Sequence, residues 1–164
     1  TRQDLPQLGD LVRQEVEYQQ TLTHSFELIP QVDWAGYVST RLEHAGSEIL
    51  VAEKDDKLIG YIQVRLAQVE PRSLMDRLRA APCRILRRRQ QQAGQVGFIE
   101  DIYVVPSERQ HSVATKLLLN SLQWFQQQHL VEIQAAIWAS NDASLSFFRK
   151  IGFKPFRLTM SSRV

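Results

Sequence analysis

The run IYVVPSERQHSVATKLL, from Ile102 to Leu118, joins an apolar strand, a proline, a polar loop and a helix that opens on small residues. A helix starting at about Ser112 leaves its first amides without intrahelical partners, with the helix dipole behind them. Such a terminus suits an anion, and a pyrophosphate in particular. Arg109 adds positive charge, Ser112 and Thr115 add hydroxyls, and the small Ser112 and Ala114 allow a phosphate close to the backbone. Helix starts are also small and polar for capping alone, so the residues by themselves leave both readings open. Just upstream, Glu100 and Asp101 interrupt an otherwise apolar strand, where acids cost energy unless solvated or paired. Without a bulge, alternation puts Phe98, Glu100, Ile102 and Val104 on one face and Asp101 on the other. A carboxylate beside a cleft can bind an ammonium group and take its proton, and burial raises its pKa towards that use. The other reading of Glu100 is an ion pair with an arginine of the insertion described below; Asp101 is read as structural.

These residues need elements to hold them. Asp4 and Pro6 open a first helix carrying Leu8, Leu11, Val12 and Val16 to about Gln20. Asp33 caps a second helix with Trp34, Tyr37, Val38 and Leu42 on one face. Residues 48–53 (EILVAE) and 58–66 read as a hairpin about the turn 54–57. Residues 67–95 form a polar, arginine-rich insertion containing Pro71, Pro82 and Gly94, with a short helix at 73–80. A strand follows over 96–105, a helix over 112–129 with Leu117, Leu118, Leu122 and Phe125, a strand over 132–138 (EIQAAIW) and a helix over 142–151. Gly152 stops that helix, and 153–160 reads as a last strand. The order predicts one α/β (α+β) domain over 1–164: a mixed, mostly antiparallel sheet flanked by helices.

Composition narrows the function classes. With 164 residues, 43% hydrophobic and 23% charged, the chain fits one globular domain. It has no apolar run long enough for a membrane span, and its opening residues hold no signal-peptide core. The single cysteine, Cys83, suits a reducing cytoplasm, and with no histidine beside it a nucleophilic role is not expected. His24, His44, His111 and His129 lie too far apart for ligand spacing, so no metal is expected. Net charge is +2, yet residues 72–89 hold seven arginines against the single acid Asp76. That run reads as a solvated face, or as an attraction for phosphates or an acidic partner. No regularly spaced aromatics accompany it, so nucleic acid is not the expected partner. Trp34, Trp124 and Trp138 read as core or rim aromatics, and Tyr103 as packing on the first helices.

Ile102, Val104, Pro106, Arg109, Ser112 and Ala114 resemble the strand–loop–helix motif of the GNAT superfamily of N-acetyltransferases. Asn141, Ser144, Phe147, Phe148, Gly152 and Phe153 are similar to its second signature, and VAEKDDKLIGY to its central hairpin. The opening TRQDLPQL resembles the segment after the family's first strand, which has no counterpart in the sequence given. The resemblance implies an acetyl-CoA-dependent N-acetyltransferase acting directly on a small-molecule or peptide amine. It implies that the backbone of Val104 and Val105 holds the pantetheine arm as an added strand. The amides of Gln110, His111, Ser112, Val113, Ala114 and Thr115 would cradle the pyrophosphate. The His111 side chain is read as solvent-exposed or touching that group, and Asn141 as a pantetheine contact or a helix cap. Phe148 stands where the family has the tyrosine that protonates the leaving thiolate, and Ser112 where it has a glycine. Both departures favour the alternative, a GNAT-like acyl-CoA sensor without catalysis. FIEDIYV is similar to the matching strand of diamine and polyamine acetyltransferases, whose glutamate at the place of Glu100 is the proposed base. Acetyl-CoA is expected between the 96–105 and 132–138 strands, with the amine entering near Glu100. Dimerisation, common in the family, is an open expectation.

Overall fold

Apolar residues at helical spacing bury one side of α1 (Leu5–Leu22), through Leu8, Leu11 and Val12. The computed structural model describes residues 2–23, 32–68, 95–130, 132–157 and 159–160. His24, the arginines of 72–89, Cys83 and the short helix expected at 73–80 lie outside the described residues. Asp4 ends a 3-10 turn (Arg2–Asp4) with φ −82° and ψ −14°, and its side chain makes no cap bond to α1. The capping expected of it fails because that role needs an extended backbone. Asp33 does cap α2 (Trp34–Leu42), accepting from the Gly36 N–H at 3.0 Å.

The hairpin joins β1 (Ser47–Lys54) to β2 (Lys57–Gln68), antiparallel, and β3 (Gln95–Val104) pairs antiparallel with β2 on its other side. The ends of the expected insertion are strand residues: Ala67 pairs with Val96 and Gln68 with Gln95. Central strand β2 is covered on both faces, which explains its nearly unbroken apolar run. After β3 come a 3-10 turn (Pro106–Glu108), α3 (Val113–Gln127), β4 (Ile133–Ala135) and α4 (Asp142–Lys150). Strand β4 pairs parallel with β3, giving the order β1-β2-β3-β4.

The sheet separates two cores. On one face Ile62, Val64, Ile99 and Val104 meet Leu117, Leu118, Phe125 and Phe148 of α3 and α4. On the other, Tyr61 and Tyr103 meet Leu8, Leu11, Val12 and Val38 of α1 and α2. Two expectations need correction. The strand expected at 132–138 stops at Ala135, because β3 and β4 part after Ile99↔Ala135. No strand forms among the described residues of 153–160: Phe153 closes α4 by donating its N–H to the Phe148 carbonyl, and Phe156 and Met160 are exposed. That segment finds no ladder partner among the described residues.

Candidate active site

The loop from β3 to α3 is pinned at its start. The Val105 N–H donates to the Ile59 carbonyl at 3.0 Å, and Lys54 Nζ meets Glu108 Oε1 at 2.8 Å. The backbone then turns left-handed at Gln110 (φ 66°) and again at Ser112 (φ 62°). Turns of this kind gather successive N–H groups into an anion-binding concavity. The first helical bond runs from the Lys116 N–H to the Ser112 carbonyl, and the Ser112 side chain makes no cap bond. Within the loop and first turn, the N–H groups from Gln110 to Thr115 take no backbone partner among the described residues. Val113 and Ala114 pack their side chains on the α3-side core, while Gln110, His111 and Ser112 are exposed. A non-glycine residue in the left-handed region costs about 1 kcal/mol, so Ser112 holds strain that a glycine would not.

Beside this loop the sheet opens. Strands β3 and β4 pair only from Gly97↔Ile133 to Ile99↔Ala135, and Glu100 to Val104 have no strand on that side among the described residues. The bond from Val105 to Ile59, with Gly60 opposite Val104, makes Gly60↔Val104 a non-hydrogen-bonded pair. The N–H and C=O of Val104, and by the same alternation of Ile102, therefore point to the open edge. Val105 does not fit the role expected of it, since its N–H serves Ile59 and its carbonyl accepts from the Glu108 N–H. Arg109 turns back along the strand. Its Nε donates to the Val104 carbonyl at 3.0 Å, and its guanidinium lies 5.2 Å from the Tyr18 ring centre and 5.7 Å from that of Tyr103. It braces the loop from the α1 side.

An open strand edge thus leads to an uncapped helix start, one of two lines of observation. The other is direct: the Acetyltransferase (GNAT) family model matches residues 14–153. The chain belongs to the GNAT acetyltransferase family. Solved structures agree on the GNAT fold. The tetramutant of BH1408 protein from Bacillus halodurans has a TM-score of 0.79 at 16% identity, covering 100% of this chain and 96% of that one. AAC(6')-Iy in complex with the bisubstrate analog CoA-S-monomethyl-acetylneamine has a TM-score of 0.70 at 17% identity, covering 99% and 92%. A predicted acetyltransferase with acetyl-CoA from Clostridium acetobutylicum has a TM-score of 0.69 at 14% identity, again covering 99% and 92%. No curated protein matches the sequence significantly.

In this GNAT domain the expected face of Glu100 is corrected by a bulge. The β2–β3 register runs Gln63↔Asp101 and then Val64↔Ile99, so Glu100 is the extra residue and the alternation resets. Glu100 thus leaves the Val104 face and joins Asp101 and Tyr103 on the α1–α2 side. There Oε2 accepts from Arg41 Nη1 and Gln63 Nε2, and Oε1 from Arg65 Nε, each at 2.6 Å. The arginines come from α2 and β2, not from the insertion. Both carboxylate oxygens of Glu100 are thus taken by side-chain donors of α2 and β2.

Reading the residues singly missed the acids that are perturbed. Burial pushes Glu15 of α1 up to about 7, with the negative charge of Asp101 adding to the effect. Burial likewise raises Asp101 to about 6, against the opposing pull of Arg41. Glu15 accepts from Gln19 Nε2. Above them Tyr61 is fully buried, and its hydroxyl has no hydrogen-bond partner among the described residues. A signal for Glu15 was present, because it falls on the stripe of Leu8, Leu11 and Val12. A carboxyl that holds its proton more tightly when folded adds stability in acid and loses it as pH rises. For Glu15 that loss runs from its ordinary 4.5 to about 7. Glu15→Gln is therefore expected to match the wild type at pH 4.5 and exceed it at pH 8, measured by urea unfolding at both.

The remaining residues divide. Asn141 caps α4, its Oδ1 accepting from the Ser144 N–H at 3.0 Å, as the cap reading expected. Phe148 is buried in the α3-side core, its ring edge-on to Phe147 and Phe153, and offers no proton. Trp138 is exposed, and its Nε1 donates to Gln19 Oε1. Among the described residues no His/Cys/Asp/Glu group could hold a metal, and no helix is long and apolar enough to cross a membrane.

Proposed function

We propose that this protein transfers an acetyl group from acetyl-CoA directly to a primary amine. The observation that carries the reading is the open β3 edge that runs into the unpartnered amides of Gln110 to Thr115. A diphosphate on those amides leaves an extended, amide-bearing arm to lie along the edge, bonding Val104 and Ile102 as a strand would. From Glu100 to Val104 the edge is about 17 Å long at about 3.3 Å per residue, so the arm's thioester end falls at the fork beside Ile99 and Ala135. The acceptor then comes from the α1–α2 side, where Tyr37 is exposed and Glu100 fixes Arg41 and Arg65. The neutral amine nitrogen attacks the thioester carbon, the adduct loses one N–H proton to solvent and collapses, and the C–S bond breaks to release CoA thiolate, which takes up a proton from solvent. Glu100 serves here as a clamp on the two arginines. An aminoglycoside N-acetyltransferase, AAC(6')-Iy, among the fold neighbours supports an amine acceptor and CoA as the carrier.

One feature favours a second reading, an acyl-CoA sensor without catalysis: Phe148 has no hydroxyl to protonate a leaving thiolate. Calorimetry with acetyl-CoA, followed by thiol release against a panel of polyamines, aminoglycosides and lysine peptides, separates the readings. Transfer predicts micromolar binding and amine-dependent thiol. Binding without thiol selects the sensor, and absence of binding to acetyl-CoA and CoA overturns both.

A further inference from the structure

On the α1–α2 side of the sheet, Arg65 carries more hydrogen-bond donors than the fold uses. It pairs across the ladder with Phe98 of β3, and its Cζ sits over the Phe98 ring, 5.0 Å from the ring centre. Its Nε donates to Glu100 Oε1 at 2.6 Å. The Nη donors of Arg65 take no partner among the described residues. The side chain is 40% exposed. With Nε held and one face on the ring, the Nη edge is the part left to a ligand.

The frame around that edge is built from side chains that hold one another. Glu100 Oε2 accepts from Arg41 Nη1 and from Gln63 Nε2, each at 2.6 Å, and Gln63 is buried. Arg41 in turn donates through Nη2 to the Tyr37 hydroxyl. The frame also stands where the sheet opens. Phe98 pairs with Gln134, and the next pair, Ile99↔Ala135, is the last before β3 and β4 part. Arg65 is therefore one strand position from the fork to which the thioester end is assigned, on the side from which the acceptor comes.

We propose that the acceptor is an amino acid, a small amine that also carries a carboxylate, and that the Nη edge of Arg65 binds that carboxylate while the amine faces the thioester. The proposal rests on the acyl-transfer reading above and narrows its substrate class. A guanidinium edge meets both oxygens of a carboxylate in parallel N–H···O bonds. One already fixed by a ring and by Glu100 loses little freedom when the ligand arrives. Charge points the same way. Arg41 and Arg65 share the single carboxylate of Glu100, and Asp101, opposite Gln63, faces Arg41. Arg65 thus meets the ligand's carboxylate with its own charge only partly offset. A polyamine or an aminoglycoside would bring further ammonium groups against these guanidiniums, and like charges at such a place select against it.

The test measures thiol release from acetyl-CoA with the common amino acids, each beside its amide and its decarboxylated amine, and with spermidine, kanamycin and an amidated lysine peptide. The best amino acid should exceed its amide about 100-fold in kcat/KM, mostly through KM. Arg65→Gln should bring that ratio to within about threefold of unity, and Arg65→Lys, which keeps the charge without the fork, should restore it to about 10-fold. Calorimetry with CoA on both variants reports whether they fold. Equal rates for acids and amides, a preference that survives Arg65→Gln, or a polycation or amidated peptide that outruns every amino acid overturns the proposal. If no amine releases thiol, the acyl-transfer reading fails by itself. Calorimetry of the N-acetylated amino acids and their amides on the CoA-loaded protein then decides the carboxylate subsite. Binding of an acid but not its amide, lost in Arg65→Gln, keeps it; binding of both or of neither overturns it.

Discussion

Ser112→Asp is expected to weaken CoA binding about 100-fold while leaving the fold as stable as before or more so. The two effects have opposite signs because one charge acts on two partners. Ser112 precedes α3 at φ 62°, a conformation Asp tolerates better than most residues. A carboxylate there complements the helix dipole, contributing about 0.5 kcal/mol to folding. The first amides of the helix are the ones proposed to hold the diphosphate. At an effective dielectric constant of about 20, like charges about 4 Å apart repel by about 4 kcal/mol. Solvent at this exposed loop reduces that to about 2.8 kcal/mol, a hundredfold in Kd. Ser112→Asn, nearly the same shape without the charge, should bind CoA within about threefold of the wild type, and Ser112→Gly should bind as well or better by relieving strain. Calorimetry on the series checks it. Equal affinity for the Asp and Asn variants would remove the phosphate from this loop.

Gly97→Ala is expected to destabilise the protein by about 3 kcal/mol, lowering Tm by roughly 6–12 °C. A Cβ on Gly97 would stand 2.6 Å from two ring carbons of Phe125 and 2.9 Å from a third. Phe125 is fully buried, so the ring cannot swing into solvent. The backbone cannot retreat easily either: Gly97 pairs with Leu66 on one side and Ile133 on the other, and its N–H donates to the Glu132 carbonyl. Either α3 moves outward or the first pair of the β3–β4 fork breaks. Phe125→Leu in the same chain should recover part of the loss by making room. A thermal melt of both variants decides it; an unshifted Gly97→Ala melt would mean that α3 sits looser on the sheet than the contacts require.

The extent to which the site could be read in advance follows from how local each cause is. Spacing alone located the strand, the proline turn and the helix start, since each depends on residues within a few positions. Asp33 and Asn141 likewise cap the helices that follow them because the cap bond spans only three residues. The face of Glu100 was not legible. It turns on one extra residue in β3, which exists only relative to its partner in β2, and alternation counted along one strand cannot detect it. Arg109 is a similar case: its neighbours suggested a phosphate contact, while Tyr18, more than ninety positions earlier, draws its guanidinium the other way. Among the described residues of 153–160 the expected strand is absent for the same reason, since a strand is made by its partner as much as by its own residues.

From the amino-acid sequence come the family, the order of elements and the loop whose amides face outward, because these rest on short-range backbone chemistry and on motif spacing. The three-dimensional packing alone decided which acids meet arginines and which are buried without them. Glu100 met two arginines and a glutamine, while burial raised the pKa of Glu15 and of Asp101. Ionisation answers to the sum of burial and nearby charge, and residues 37, 41, 61 and 65 reach those acids only once the helices close over the sheet.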